Sequence, residues 1–393
     1  MTATPRPPPL LWLFALGSLV IGTGAFVIGG IVEPLSASLG VSVATAGQLM
    51  TVYAFANALG SPLLLAWAGR FDARTVLLWA MAGLVVANVA SALAADWGSL
   101  AAARAAMALA AGLFTPTASA LAVALVPESM RARALSIAFS GIGLSYVIGV
   151  PFGAWAGVSR FGWPLAFWVV AAVAAAAGLA LRRVPRGVPT APASLAAYAR
   201  LLRTPRTLGA LAVTAAYFAS IFCIFSFVGA FLTAYGGLAR EAVAPVLAAF
   251  GVAALVGTFA GGRLADRFGP SRVLYGICAG FAVVFALLWA TPGQTGVQVG
   301  IFLVWGVIGF AFYAAQQSRL IALAPQSATA AIALNASMLY VGTAAGTALG
   351  GTMIAAFGWA SLPPAGAALI GVVALLVRAT EPPVRAGFPP TPR

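Results

Sequence analysis

Long apolar runs alternate along this chain with short clusters of Arg, Pro, Gly and Asp, and each run has the length a helix needs to cross a bilayer, about 20 residues at 1.5 Å each. The runs fall at residues 10–33, 45–68, 75–95, 99–125, 134–158 and 163–181, then at 207–234, 242–262, 273–291, 297–318, 329–356 and 361–379. They are continuous and do not alternate, so they predict helices and not the ten-residue strands of a membrane barrel. Several runs nearly touch, which leaves ten or eleven spans as an alternative count. The expected architecture is an all-α membrane protein with twelve transmembrane helices in two six-helix pseudo-repeats. It divides into a tail at 1–9, a first bundle at 10–181, a linker at 182–206, a second bundle at 207–379 and a tail at 380–393. Twelve spans use roughly 240 residues, which leaves no room for a second soluble domain.

The first run starts at Leu10 and is longer than the apolar core of a cleavable signal peptide, so it reads as a retained helix. With the N-terminus in the cytoplasm, eighteen Arg fall on inner segments, from Arg6 to Arg393, and only Arg160 and Arg240 on outer ones. Because cytoplasmic loops keep their basic residues, this bias predicts both termini in the cytoplasm, with the protein in the plasma membrane, the inner membrane of a bacterium. In the linker, Tyr198, Leu201 and Leu202 share a helical face with Leu195, and Arg200 and Arg203 flank it. That pattern fits either a short helix lying on anionic lipid or a solvated loop. The Pro-rich tail after Glu381 reads as disordered.

Composition narrows the chemistry. The chain is 62% hydrophobic and only 7% charged, with net charge +14, two Cys, no His and no Lys. Without His or Lys there is no zinc hydrolase, no Ser-His pair and no Walker lysine for ATP, so no catalytic residue, metal or cofactor is expected and the chain is read as a non-enzyme. The Arg residues are scattered over short loops without the aromatic readers that nucleic-acid binding needs; topology explains them. Cys223 and Cys278 read as small packing residues.

The two sides of the linker resemble each other at a constant offset. Gly69-Arg70-Phe71 aligns with Asp266-Arg267-Phe268, and Ser145, Gly149 and Gly153 align with Gly342, Gly346 and Gly350, each 197 residues on. Phe161-Gly162-Trp163 aligns with Phe357-Gly358-Trp359, one residue short of that offset. Parallel repeats of this kind place their ligand site in the midplane cavity between halves and suit alternating access. The fifth span also carries Pro151, which removes a backbone hydrogen bond. Its glycine face reads either as a close helix crossing or as a gate.

Between the eighth and ninth spans stands Gly262-Arg263-Leu264-Ala265-Asp266-Arg267-Phe268-Gly269-Pro270-Ser271-Arg272. This segment resembles the G-x-x-x-D-R-x-G-x-x-[RK] loop signature of the major facilitator superfamily. Arg104 with Gly112 and Pro116 resembles its fourth-helix motif, and Gly149-Val150-Pro151 with Gly153 is similar to the fifth-helix antiporter motif of the drug and sugar efflux branch. The runs Gly40–Ala54 and Ala322–Ser337 look like the same branch. The resemblance covers nearly the whole chain and implies a secondary transporter that exports a drug, sugar or related metabolite in exchange for protons, with multidrug resistance as one outcome. An uncoupled facilitator or importer is the alternative, and a non-transporting sensor a remote one. Two positions depart from the pattern: Gly69 stands where the second half has Asp266, with Asp72 three residues away, and Ala25 stands before Phe26 where the branch carries an acid.

An ionisable group inside a span is a functional candidate by default. Arg104 is the clear one, either attracting an anionic substrate group or bonded to carbonyls as a structural cation. Glu33, beside Pro34, is either a proton site in the cavity or a solvated helix end. Asp266 and Arg267 are expected to stabilise helix ends, and Gly149, Pro151, Gly153, Gly346 and Gly350 to shape or gate the bundles. The resemblance places the first, fourth, seventh and tenth helices around the cavity, which offers Phe26, Thr115, Thr117, Tyr217, Ser220, Cys223, Ser226, Trp305, Tyr313, Gln316 and Gln317 as lining candidates, each weighed against plain packing. Asn335, Tyr340, Asn57 and Asn88 are lesser polar candidates. The expected partners are a small-molecule substrate, protons and membrane lipid; the cavity is complete within one chain, so a monomer suffices.

Overall fold

A computed structural model describes residues 8–127, 130–187 and 195–381. Arg6, Arg385 and Arg393, the C-terminal prolines, Pro189, Pro192 and the side chain of Leu195 lie outside the described residues. Among the described residues the regular structure is all helical, and eleven helices are long and apolar enough to cross a membrane, twelve when the bent first pair counts as one span.

The first half runs α1 (Leu10–Phe26) with α2 (Ile28–Leu39), α3 (Val43–Ala68), α4 (Ala73–Ala92), α5 (Trp97–Ala124), α6 (Arg131–Leu144) with α7 (Val150–Val158), and α8 (Pro164–Leu181). A linker helix α9 (Leu195–Arg203) follows. The second half runs α10 (Pro205–Phe225) with α11 (Val228–Ala234), α12 (Val243–Phe268), α13 (Pro270–Ala290), α14 (Thr295–Phe310) with α15 (Phe312–Leu323), α16 (Ala328–Phe357) and α17 (Leu362–Ala379). Six crossings per half bring the linker and both ends of the described chain to one face of the bundle, the linker end; the opposite face is the far end.

Four spans are interrupted, and one interruption has a local cause. Between α1 and α2 the first span bends by 46° at Val27, seven residues before Pro34, which lies inside α2. In the fifth span Pro151 leaves Val147 without its helical donor, and a π-turn at Ser145–Gly149 takes up the mismatch. Elsewhere glycine lets spans close on one another. A methyl group at Gly149 would fall 1.9 Å from Thr23 Oγ1, and one at Gly153 would fall 2.2 Å from Val27. In the second half, methyl groups at Gly346 and Gly350 would each fall 2.2 Å from the carbonyl oxygens of Ala219 and Cys223. Span five thus packs on span one as span eleven packs on span seven, which is the sequence repeat expressed as contacts.

Three local expectations change. The signature around Asp266 is not a loop: α12 runs through Phe268, and only Gly269, at φ 84°, separates it from α13. Asp266 is exposed in that last helical turn, Arg267 lies 5.2 Å over the Phe268 ring, and the capping carboxylate is the displaced Asp72. Asp72 accepts from the backbone N–H of Arg74 at 3.0 Å and Thr75 at 3.3 Å, and from Gly187 N–H at 2.6 Å, so it starts α4 and ties down the linker. The apolar face of α9 is only partly free for lipid: Leu201 is buried with Leu211, Leu320 and Leu334 under the second half and Tyr198 packs against them, while Leu202 is exposed with Arg200 and Arg203.

Candidate functional site

The halves meet toward the far end. Glu33 at the end of span one pairs with Arg240 and accepts from the Thr233 hydroxyl at 3.3 Å. Gln48 of α3 donates to the Thr347 carbonyl of α16 at 3.3 Å. A methyl group at Gly251 of α12 would lie 2.4 Å from the Tyr146 carbonyl of the fifth span. Toward the linker end the same faces separate: one and two turns beyond Thr51, Phe55 and Leu59 are 59% and 55% exposed, and opposite them Ala333 and Ala336 are exposed. The result is a cleft between the halves, closed at the far end.

The floor of that cleft is aromatic. A narrow pocket of about 30 Å³ is lined by Tyr146, Tyr217, Phe218, Phe225, Phe250, Gly309, Phe310 and Tyr313. Phe26 stacks on Tyr146 at 5.0 Å and meets Phe222 across the seam at 5.8 Å, while Tyr340 lies 6.2 Å from Tyr53. Tyr217 is partly committed: its hydroxyl donates to the Gly309 carbonyl at 2.8 Å and its ring stacks on Phe312 at 3.7 Å.

Arg104 stands behind this floor, fully buried. Its guanidinium donates to the carbonyls of Gly24 and, at 2.9 Å, Ala25, beside the bend at Val27 where the first helix has broken its own ladder. It lies 4.6 Å over the Tyr53 ring, and no carboxylate pairs with it among the described residues. Its Nε and the Tyr53 hydroxyl are buried without partners. An unmet buried donor costs about 1–3 kcal/mol, so both are notable in a chain that satisfies most of its polar groups.

The sequence candidates thus sort by place. Phe26, Tyr217 and Tyr313 come together at the cleft floor. Gln316 and Asn335 do not reach it: Gln316 donates to the Ala210 carbonyl and the Thr214 hydroxyl at 2.9 Å, and Thr214 donates to Asn335 at 2.5 Å, a lock inside the second half. Thr117 returns to the Leu113 carbonyl of its own helix, and Ser226 pairs with Thr347. Glu33 sits at the far-end surface, away from Arg104. Tyr146, Gln48 and Thr51 escaped the sequence reading. Tyr146 carried a signal, since it lies one residue past the glycine face that fixes the fifth span against the first.

Two pseudo-repeated six-helix bundles that enclose a cleft sealed at one end define an integral membrane transporter. The chain matches the Major Facilitator Superfamily over residues 14–330 and belongs to that superfamily. It is 30% identical over 359 residues to the uncharacterized MFS-type transporter YtbD of Bacillus subtilis, covering 89% of each chain. It is 31% identical over 353 residues to a chloramphenicol resistance protein of Streptomyces lividans, covering 88% of this chain and 89% of that one. In fold it is similar to a bacterial homologue of the human lysosomal transporter Spinster in an inward-facing, unoccupied conformation, at TM-score 0.73 and 19% identity over 96% of this chain and 94% of that one.

Proposed function

We propose that this protein exports a small organic solute across the bacterial inner membrane by alternating access, in exchange for protons. The observation that carries the reading is the one-ended cleft: contacts between halves gather at the far end and part at the linker end. The Arg bias puts the linker and both termini in the cytoplasm, so this state opens inward with its outer gate shut. Export is supported by the likeness to a protein named for chloramphenicol resistance.

One observation favours a second reading, an uncoupled facilitator. Of the six carboxylates among the described residues, five lie in loops or at helix ends and Glu33 lies within α2 toward the far end, and Ala25 occupies the first-helix position where the resemblance places an acid. A proton-coupled carrier needs a group that titrates in reach of the cavity. Proton movement in everted membrane vesicles energised by respiration decides between them, with sugars, nucleosides, amphipathic drugs and organic anions added in turn. Collapse of the pH gradient by one class, lost in Arg104→Ala, is the result expected of an antiporter. Saturable solute flux in liposomes with no proton signal overturns proton exchange and leaves the facilitator.

A further inference from the structure

We propose that Tyr53 is the hydrogen-bond donor of a substrate subsite in front of Arg104, and that this subsite takes neutral or anionic aromatic solutes bearing oxygen acceptors and refuses organic cations. The proposal rests on the transporter reading above and names its substrate class.

Four observations converge. First, Tyr53 is 1% exposed and its hydroxyl has no partner, although buried donors are almost always met. It lies where span two faces span eleven, across from Tyr340, which is partly exposed to the cleft. An oxygen brought by a ligand is the acceptor that the chain itself does not supply there. Second, Tyr340 of the second half lies 6.2 Å from Tyr53 of the first, and Tyr146 of the first half and Tyr313 of the second line one pocket, so phenols from both halves gather along the seam. A ligand held between them touches both moving bodies, as a carrier's substrate must.

Third, an aromatic box binds cations through ring faces, and here three rings each have one face occupied. Tyr53 carries Arg104 at 4.6 Å, Tyr146 is stacked on Phe26, and Tyr217 is stacked on Phe312. Arg104 itself holds the Tyr53 face that a cation would need, which leaves that ring's edge and its O–H donor to a ligand. Fourth, Arg104 is a buried positive charge with no carboxylate pairing it among the described residues. Its field reaches the Tyr53 phenol through low-dielectric surroundings, strengthens that O–H as a donor and repels a cation.

The test uses the full-length protein in nanodiscs and tritiated chloramphenicol, a neutral aromatic rich in oxygen acceptors. The competitors are 4-nitrobenzoate and 4-nitrobenzyltrimethylammonium, similar in size and opposite in charge. Wild-type protein is expected to bind chloramphenicol and to release it to the carboxylate at concentrations at least tenfold below those of the ammonium. Tyr53→Phe keeps the ring under Arg104 and loses only the hydroxyl, so the Kd for chloramphenicol should rise about fivefold, the share of one neutral hydrogen bond. Tyr235→Phe removes a hydroxyl that donates to the Trp289 carbonyl at the far end, and should leave that Kd unchanged. An unchanged Kd in Tyr53→Phe, better competition by the ammonium, or no binding of any probe by folded wild-type protein overturns the subsite. Flux in liposomes separates the two readings: binding without flux sinks the transporter and spares the subsite, whereas flux that ignores Tyr53→Phe does the reverse.

Discussion

The two halves break the same helix and repair it differently. Span one bends at Val27 and span seven at Ser226–Phe227, within a few residues of each other once the repeat offset is applied. In the second half the repair is cheap: the Ser226 and Thr347 hydroxyls bond each other, and Phe227 fills the space over Gly47 of the first half. In the first half the carbonyls of Gly24 and Ala25 are met by a buried guanidinium. Burying that charge is costly, and the second half keeps its own break with a hydroxyl pair and an aromatic ring beside it and no buried charge. The comparison teaches that Arg104 does more than hold a bend; its surplus is the positive charge it delivers to the cleft floor through Tyr53.

Substituting that charge should give the largest effect. Arg104→Ala strands two carbonyls and removes the field, and transport should fall at least tenfold, about 1.4 kcal/mol or more in barrier, with a lower thermal midpoint. Arg104→Lys keeps the charge but loses the planar fork. If the comparison holds, Lys restores part of the transport without restoring the midpoint; equal loss in both variants would reduce Arg104 to a structural clamp.

The glycine faces sharpen the comparison at the next level. A methyl group at Gly346 meets the backbone carbonyl of Ala219, which cannot move aside, whereas at Gly149 it meets the Thr23 hydroxyl, a side chain. Gly346→Ala should therefore destabilise by about 1–3 kcal/mol and Gly149→Ala by less. Adding Thr23→Ala removes the hydroxyl and methyl groups but leaves Thr23's Cβ position 2.8 Å away, so it should relieve Gly149→Ala in part in a thermal melt, and nothing equivalent can relieve Gly346→Ala. Ser226→Ala ranks below these, at about 1 kcal/mol for one buried hydrogen bond, and Thr347→Val on top of it should add little, because the pair is already broken.

Hydropathy alone made the spans legible, since lipid forces every backbone group into a helix and leaves only length and punctuation to read. The bend at the π-turn was announced by Pro151, but the bend at Val27 was not, because Arg104 stabilises it from a residue about 80 positions away. Phe26, Tyr217 and Tyr313 lie at the cleft floor on the spans the resemblance pointed to, but their ring type alone did not mark them, since Phe114, Phe167 and Phe285 are packed in the core. Gln316 and Asn335 were misplaced for a definite reason: a helix position fixes depth, whereas the face it presents depends on how neighbouring spans cross, and here both turn to Thr214. Asp266 drew attention through a familiar spacing, while two carboxylates that cap helices, Asp72 and Asp96, stood outside it.

The smallest effect belongs to Glu33, and it bears on the far end where the halves close. Its pair with Arg240 is half in water, with the two side chains 28% and 66% exposed, so it contributes at most about 1 kcal/mol and is screened by salt. Nevertheless it joins the first half to the second at the rim that must part when the carrier turns outward. Glu33→Gln removes the attraction but keeps an acceptor for Thr233, and should tilt the equilibrium toward the outward-open state by up to about fivefold. A cysteine introduced at Thr51, which donates to Gln48 of its own helix and across the seam to the Ala344 carbonyl, reads that tilt as faster maleimide labelling when Cys223 and Cys278 are both replaced by Ala. The acceleration should shrink in high salt, where the wild-type pair is already weakened. Labelling that stays the same in Glu33→Gln at low and high salt would show that the backbone crossing of Gly29 and Gly229, not the ion pair, keeps the far end closed.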